Sequence, residues 1–284
     1  MTTVLVTGAT GAVGRHLVRE LLDSGAEVRA LTRDAERARS VLPDGAEPVV
    51  GDLADADTLA RALKGADRAY VMLDADAGAA FADAASRAAG LRHVVLLSAS
   101  AAADPGYDNP MFRKHVRGEQ HLRASGVPTT FLRPGAFHTL ALHWVPAVRG
   151  DGVVRVVFPH LSVALIDPRD IADVAAVALR GDVERWAGRE LLLSGPQLLD
   201  MRDRARIIAE TVGRPLRVEQ VPEEAWVRAA SAHLPEPYAR ALVGVERYFT
   251  ERPPGVVGTV AEVTGHPARS FRSWVEDHRH AFLG

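Results

Sequence analysis

The segment Val4-Leu5-Val6-Thr7-Gly8-Ala9-Thr10-Gly11-Ala12-Val13-Gly14 constrains this chain more than any other. It joins an apolar run, three glycines spaced three apart and the start of an amphipathic helix. Val4 to Thr7 reads as a buried parallel strand, continuously apolar and β-branched. Val13, Leu17, Val18, Leu21 and Leu22 then recur at helical spacing. The glycines between them predict a phosphate-binding turn. Gly8 makes the tight turn, Gly11 lets backbone N–H groups approach a pyrophosphate, and Gly14 lets helix and strand pack closely. The helix N-terminus then faces the anion.

The same alternation continues downstream. Strands are predicted at 28–31, 48–50, 68–73, 93–98 and 129–132, with helices at 34–40, 55–63, 79–89 and 113–125. Repeated β-α units with right-handed crossovers give an α/β fold, a doubly wound parallel Rossmann sheet whose ligand cleft lies beyond the C-terminal ends of the strands. Beyond about residue 135 the pattern loosens into strands at 153–158 and 190–193, a helix at 171–179, a further helix and strand within 196–221, and a mainly helical remainder. The expected division is a nucleotide-binding domain over 1–150 and a smaller, mostly helical substrate lobe over 151–284 that interleaves with it.

Composition narrows the function classes. A formal charge of −2 and a pI near 6.6 leave no footprint for nucleic acid or an anionic membrane. Zero cysteines exclude disulfides, thiolate metal sites and cysteine nucleophiles. No apolar run approaches membrane-spanning length and the N-terminus enters a strand at once, so the expectation is a cytoplasmic protein, monomeric or homodimeric, acting on a small molecule.

The spacing Thr7-Gly8-Ala9-Thr10-Gly11-Ala12-Val13-Gly14 resembles the signature of atypical short-chain dehydrogenases/reductases. Roughly 20 residues past such glycines an acidic residue would hold the ribose hydroxyls and an arginine a 2′-phosphate. The second strand here ends in Thr32-Arg33, which favours NADP(H) over NAD(H), with Arg37 adding charge and Asp34 weighing against. Asp52-Leu53 resembles the segment that contacts adenine in these enzymes, although Asp52 could equally cap the next helix. Leu73, closing the fourth strand, is a further expected cofactor contact.

The usual Tyr and Lys four residues apart are missing. Tyr107 would need a lysine at 111 and meets Met111, and no other tyrosine completes the spacing. Within the atypical branch, Lys114-His115-Val116-Arg117-Gly118-Glu119, Ala124-Ser125-Gly126-Val127-Pro128 and Thr130-Phe131-Leu132-Arg133-Pro134-Gly135-Ala136-Phe137 resemble the NmrA-like family. Ile166-Asp167-Pro168-Arg169-Asp170-Ile171-Ala172, Leu193-Ser194-Gly195-Pro196 and Val263-Thr264-Gly265-His266-Pro267 continue the likeness over essentially the whole chain.

That resemblance implies NADP(H) binding and mixes reductases with nucleotide-sensing regulators. His115 is the candidate proton donor, kept protonated by a nearby anion, with Lys114 as substitute and Glu119, one turn on, orienting it. The plainer alternative is a surface or capping pair. Ser98 and Ser100 stand where the superfamily places a substrate-orienting serine, though such hydroxyls also satisfy loop backbone. Arg133, Pro134 and Gly135 are expected at the nicotinamide, with Phe137 and His138 facing substrate. His138 with His143, and His278 with His280, lack a carboxylate cluster and are read as solvated or capping histidines, not metal ligands. Asp167 and Asp170 should bind backbone at a helix start, and one or two of Trp226, Tyr238, Tyr248 and Phe249 should line an apolar pocket.

The reading is an NADPH-dependent reductase of a small apolar carbonyl, enone or quinone-like compound. The alternatives are an NADP(H) sensor without turnover and a redox-neutral cyclase or isomerase on the same fold.

Overall fold

The computed structural model describes residues 2–73, 77–104 and 106–284. Seven parallel strands form one sheet: β1 (Thr3–Val6), β2 (Glu27–Thr32), β3 (Ala46–Val50), β4 (Arg68–Met72), β5 (His93–Leu97), β6 (Thr129–Pro134) and β8 (Glu190–Leu193). Their spatial order is β3-β2-β1-β4-β5-β6-β8. The order reverses between β1 and β4, and at such a switch point the loops diverge to leave a crevice.

Helices cover both faces. α1 (Gly14–Asp23) and α7 (Pro168–Arg180) pack together on one, burying Leu17, Val18, Leu21, Ile171, Val174 and Leu179 against β1 and β5. On the other lie α3 (Ala56–Leu63), α4 (Ala77–Arg87) and α5 (Pro110–Ala124), with Leu59, Leu63, Phe81 and Leu122 against Leu5, Val71 and Phe131. Burying each such large side chain contributes about 1.5–3 kcal/mol. α2 (Ala35–Val41) follows β2, capped by the Asp34 side chain.

The second half of the chain completes the large sheet through β8 and adds a small parallel sheet of β7 (Val153–Val156) and β9 (Arg217–Gln220). Around it gather α6 (Val145–Arg149), α9 (Met201–Val212), α13 (Phe271–Asp277) and α14 (Arg279–Leu283), sharing a core that includes Ile208, Phe271, Trp274 and Phe282. α8 (Val183–Trp186) leads into β8. α10 (Glu223–Ala230) and α11 (Glu236–Glu251) pair with each other, and α12 (Thr259–Thr264) rests on α7 and β8. The second half of the chain is mostly helical and supplies β8 to the large sheet.

Several element bounds differ from expectation, and two of them bear on the site. α5 begins at Pro110, not Arg113, because the Asn109 side chain accepts the Met111 N–H at 2.9 Å and Pro110 fits the first helical turn. β6 runs two residues further, through Pro134. Among the described residues no helix is long and apolar enough to cross a membrane.

Candidate functional site

The turn after β1 is built by exclusion. Gly8 takes φ +59°, and a Cβ there would lie 2.9 Å from Met72 Cε. A Cβ on Gly14 would collide with the Gly8 carbonyl oxygen and crowd Ala9 Cα, so the helix can approach only without a side chain. The Gly11 N–H donates to Gly8 O at 2.9 Å, closing the turn. Among the described residues the N–H groups of Ala12 and Val13 find no acceptor in the chain, and they open toward the end of α1. This cradle suits a pyrophosphate. Thr7 is fully buried, and its Oγ1 accepts the Met72 N–H at 2.8 Å, tying β1 to β4. Thr7 therefore shapes the turn, because its hydroxyl is engaged away from the crevice.

At the end of β2, Arg33 is exposed and has no hydrogen-bond or ionic partner among the described residues. The neighbouring Asp34 carboxylate accepts the Arg37 N–H at 3.0 Å and Asp34 N–H donates to Thr32 Oγ1 at 3.1 Å. Asp52 accepts the Ala54 N–H at 2.9 Å, a local turn ahead of the Asp55 cap, while Leu53 packs partly against the core. The Leu73 side chain is buried, and its Cδ1 fills the space above Gly118, where a Cβ would come within 2.6 Å.

The ends of β5 and β6 hold a buried ionic network. Ser98 Oγ donates to Glu119 Oε1 at 2.6 Å. Arg133 donates to the same carboxylate through Nε at 2.9 Å and Nη2 at 2.6 Å, and also pairs with Glu190. Arg123 joins Glu119 at 3.2 Å. Burial disfavours the Glu119 anion, yet the hydrogen bonds from Arg133 and Ser98 outweigh it and hold its carboxyl below the usual range. Three expectations change here. The Arg133 guanidinium, expected at the nicotinamide, is engaged by the Glu119 and Glu190 carboxylates. Ser98 donates into the network, not toward a substrate. Glu119 turns to Ser98 and Arg133 and does not orient His115.

His115 lies partly buried on α5, its ring bonded to the Leu97 backbone and 6.4 Å from the Phe112 ring. Burial, reinforced by the adjacent Lys114 charge, lowers its pKa to about 4. The imidazole is neutral at pH 7, contrary to the protonated donor expected. Lys114 is half-buried and makes no ion pair among the described residues.

Beyond the C-terminal ends of β6 and β8 lies a cavity of about 290 Å³. Its apolar wall includes Ala136, Val163, Ala164, Leu193 and Phe249, and its polar lining is Ser100, Asp104, Ser194, Tyr248 and Arg252, with Gly135 at the end of β6. Phe249 and Tyr248 are the two aromatics that α11 turns inward. Trp226 packs instead against α11, and Tyr238 is exposed. The Tyr248 hydroxyl donates to Asp104, and its ring stacks on Tyr107 with centroids 3.7 Å apart. Ser194 Oγ donates to Gly195 O at 3.0 Å and accepts the Val257 N–H at 2.9 Å. Among the described residues, Ser100 is the hydroxyl of this lining that donates to no protein atom.

His138 and Phe137 fall outside the cavity. His138 is fully buried, 5.4 Å from the Phe271 ring, with Nδ1 3.8 Å from Asp167 Oδ2. It was expected to face substrate; the backbone bond from its N–H to Ile166 O turns it into the lobe core. Phe137 bridges to Ile166 and packs on the core beside α7. Asp167 caps α7 through the Arg169 N–H, as predicted, whereas Asp170 binds Arg269. Among the described residues one trio has metal-like spacing, Asp170, Asp173 and His266, and Arg269 already ion-pairs with both of its carboxylates. His278 stacks on Trp274 and bonds its carbonyl, a capping arrangement.

Sequence reading missed Arg252, the Asp104–Tyr248 bond and the Glu119–Arg133–Glu190 network. All join residues far apart in the chain. The visible hint was Arg252 four residues after Tyr248, ahead of Pro253-Pro254.

Comparisons with known proteins agree with this geometry. The NmrA-like family model matches residues 1–263. The (4-alkanoyl-5-oxo-2,5-dihydrofuran-3-yl)methyl phosphate reductase of Streptomyces griseus is 41% identical over 282 residues, covering 98% of this chain and 99% of its own. The NAD(P)H azoreductase of Xenophilus azovorans is 32% identical, covering 98% and 99%. Among solved structures, the NADPH-dependent quinone oxidoreductase of Escherichia coli, complexed with NADPH, superimposes with a TM-score of 0.84 at 21% identity, over 97% of this chain and 99% of that one. With that match running through all but its last helices, the chain belongs to the NmrA-like family.

Proposed function

We propose that this protein is an NADPH-dependent reductase of a small, unsaturated carbonyl compound, with quinone-like acceptors as the related class. The observation that carries the reading is the placement of an apolar cavity at the C-terminal ends of β6 and β8, on the same edge of the sheet as the glycine cradle at β1. A dinucleotide laid across that edge from the switch point reaches the cavity with its far end. The reductases of Streptomyces and Xenophilus, alike over nearly the full length, support the same class.

The bound nicotinamide supplies a hydride. Gly8 and Gly14 shape the turn at the start of α1, and the Ala12 and Val13 N–H groups hold the pyrophosphate. Arg33 is available to a 2′-phosphate, and Asp34 is engaged as a helix cap, so no carboxylate is offered to a ribose 2′-hydroxyl there. That pairing supports NADPH over NADH. As hydride adds to one carbon of a conjugated double bond, its electrons move to the carbonyl oxygen. The Ser100 hydroxyl donates a hydrogen bond to that oxygen, and a proton from water completes the reduction at the other carbon.

One observation favours the nucleotide-sensing alternative: Ser98 and Arg133 are locked in an internal network and His115 is neutral. Titration of the protein with NADPH and NADH by fluorescence, followed by a panel of quinones and enones, separates the two. Tight NADPH binding with substrate-dependent loss of reduced nicotinamide supports the reductase; tight binding with nucleotide-dependent partner affinity and no loss supports the sensor.

A further inference from the structure

The cavity holds two charged residues, and they differ in how fully they are occupied. Asp104 accepts both the Tyr248 hydroxyl and the Gly106 N–H, the latter at 2.9 Å, so its carboxylate is committed to the wall. Arg252 is different. Its guanidinium carbon lies 5.1 Å over the Tyr248 ring, its ion pair among the described residues is with the adjoining Glu251 at 3.5 Å, and the Asp104 carboxylate is near enough to feel its charge. Both partners of that pair are about 60% exposed (61% and 60%), and such pairs contribute little.

The support beneath Arg252 is rigid. Tyr248 is clamped by Asp104 at its hydroxyl and by Tyr107 on its face. A guanidinium held over a fixed ring has N–H groups left to bind phosphate or carboxylate oxygens in pairs. The lining also holds Ser100, the hydroxyl given to the reacting carbonyl.

We propose that Arg252 is the specificity residue for an acidic end group, a phosphate monoester, carried by the substrate away from its reacting double bond. The inference rests on the reductase reading and deepens it. The substrate is then bifunctional: an apolar body between Val163, Leu193 and Phe249, a carbonyl at Ser100 and a phosphate at Arg252. The methyl phosphate of the compound reduced by the Streptomyces griseus relative has this layout.

The test compares a (4-alkanoyl-5-oxo-2,5-dihydrofuran-3-yl)methyl phosphate with the same molecule lacking the phosphate, in wild type, Arg252→Met and Arg252→Lys. Wild type should prefer the phosphate ester at least tenfold in kcat/KM, mainly through KM. Arg252→Met should lose at least ten times more activity on the ester than on the alcohol, and Arg252→Lys should recover part of the preference. A wild type without preference, or one whose preference survives in Arg252→Met, overturns the proposal. Thermal-shift binding to the NADPH-loaded protein separates it from the reductase reading. Ester binding that depends on Arg252 without NADPH oxidation keeps the anion subsite and removes the reductase; no binding of the ester removes the subsite.

Discussion

Ser98 Oγ donates a 2.6 Å hydrogen bond to Glu119 Oε1, which joins the end of β5 to α5. Arg133 closes the same carboxylate from β6. A serine expected to serve chemistry thus serves architecture, holding in register the strand ends from which Ser100 and Gly135 reach the cavity.

Glu119→Ala should destabilise the fold by about 1.5–3 kcal/mol, because buried Arg133 loses its two-pronged partner and keeps only Glu190. Urea unfolding measures it. Since the Glu119 carboxyl titrates below its ordinary value of 4.5 when folded, its stabilisation is present above that pH and is lost as pH falls through the folded value. A loss below 1 kcal/mol would show the network to be idle.

Three histidines, His16, His93 and His115, titrate near 4 in the folded chain, chiefly because burial penalises the cation. The unfolded chain takes up these protons near 6.5, so their contribution to stability is complete above 6.5 and declines as pH falls toward 4. Histidine ring resonances followed by NMR should show three groups unprotonated at pH 5.5. A midpoint near 6.5 for His115 would restore it as a proton donor, and His115→Ala should then lower kcat.

Ser100→Ala should lower kcat by about 10- to 100-fold, the usual loss of one donor to a developing oxyanion being of this order or larger. Nucleotide affinity should change little. Equal kcat in the variant would remove Ser100 from the reaction.

Arg33→Glu should weaken NADPH by about tenfold or more, the scale of one charge-assisted hydrogen bond, and NADH much less. Paired fluorescence titrations read the ratio; equal losses would refute the 2′-phosphate contact.

The sheet was legible because each strand is a short apolar run and each crossover helix carries its own stop or start: Ser24-Gly25 after α1, Asp34 and Asp55 as caps. The glycine turn was legible because its steric demand is local. Gly14 meets Gly8 six residues away, within one strand–turn–helix unit. The site at the strand ends was less so. Whether Ser98 faces a ligand or Glu119 depends on where α5 sits across β5, and whether His138 faces a cavity or Trp274 depends on α13, 136 residues later by number. Those pairings come from packing of distant segments, and nothing in the local pattern encodes them.

The most direct test mixes the purified protein with NADPH and an unsaturated butenolide phosphate, following reduced-nicotinamide absorbance and product together. This account predicts loss of NADPH one for one with saturation of the ring double bond, much slower with NADH. Tight NADPH binding with no loss of absorbance, on this compound and across enones and quinones, would contradict it.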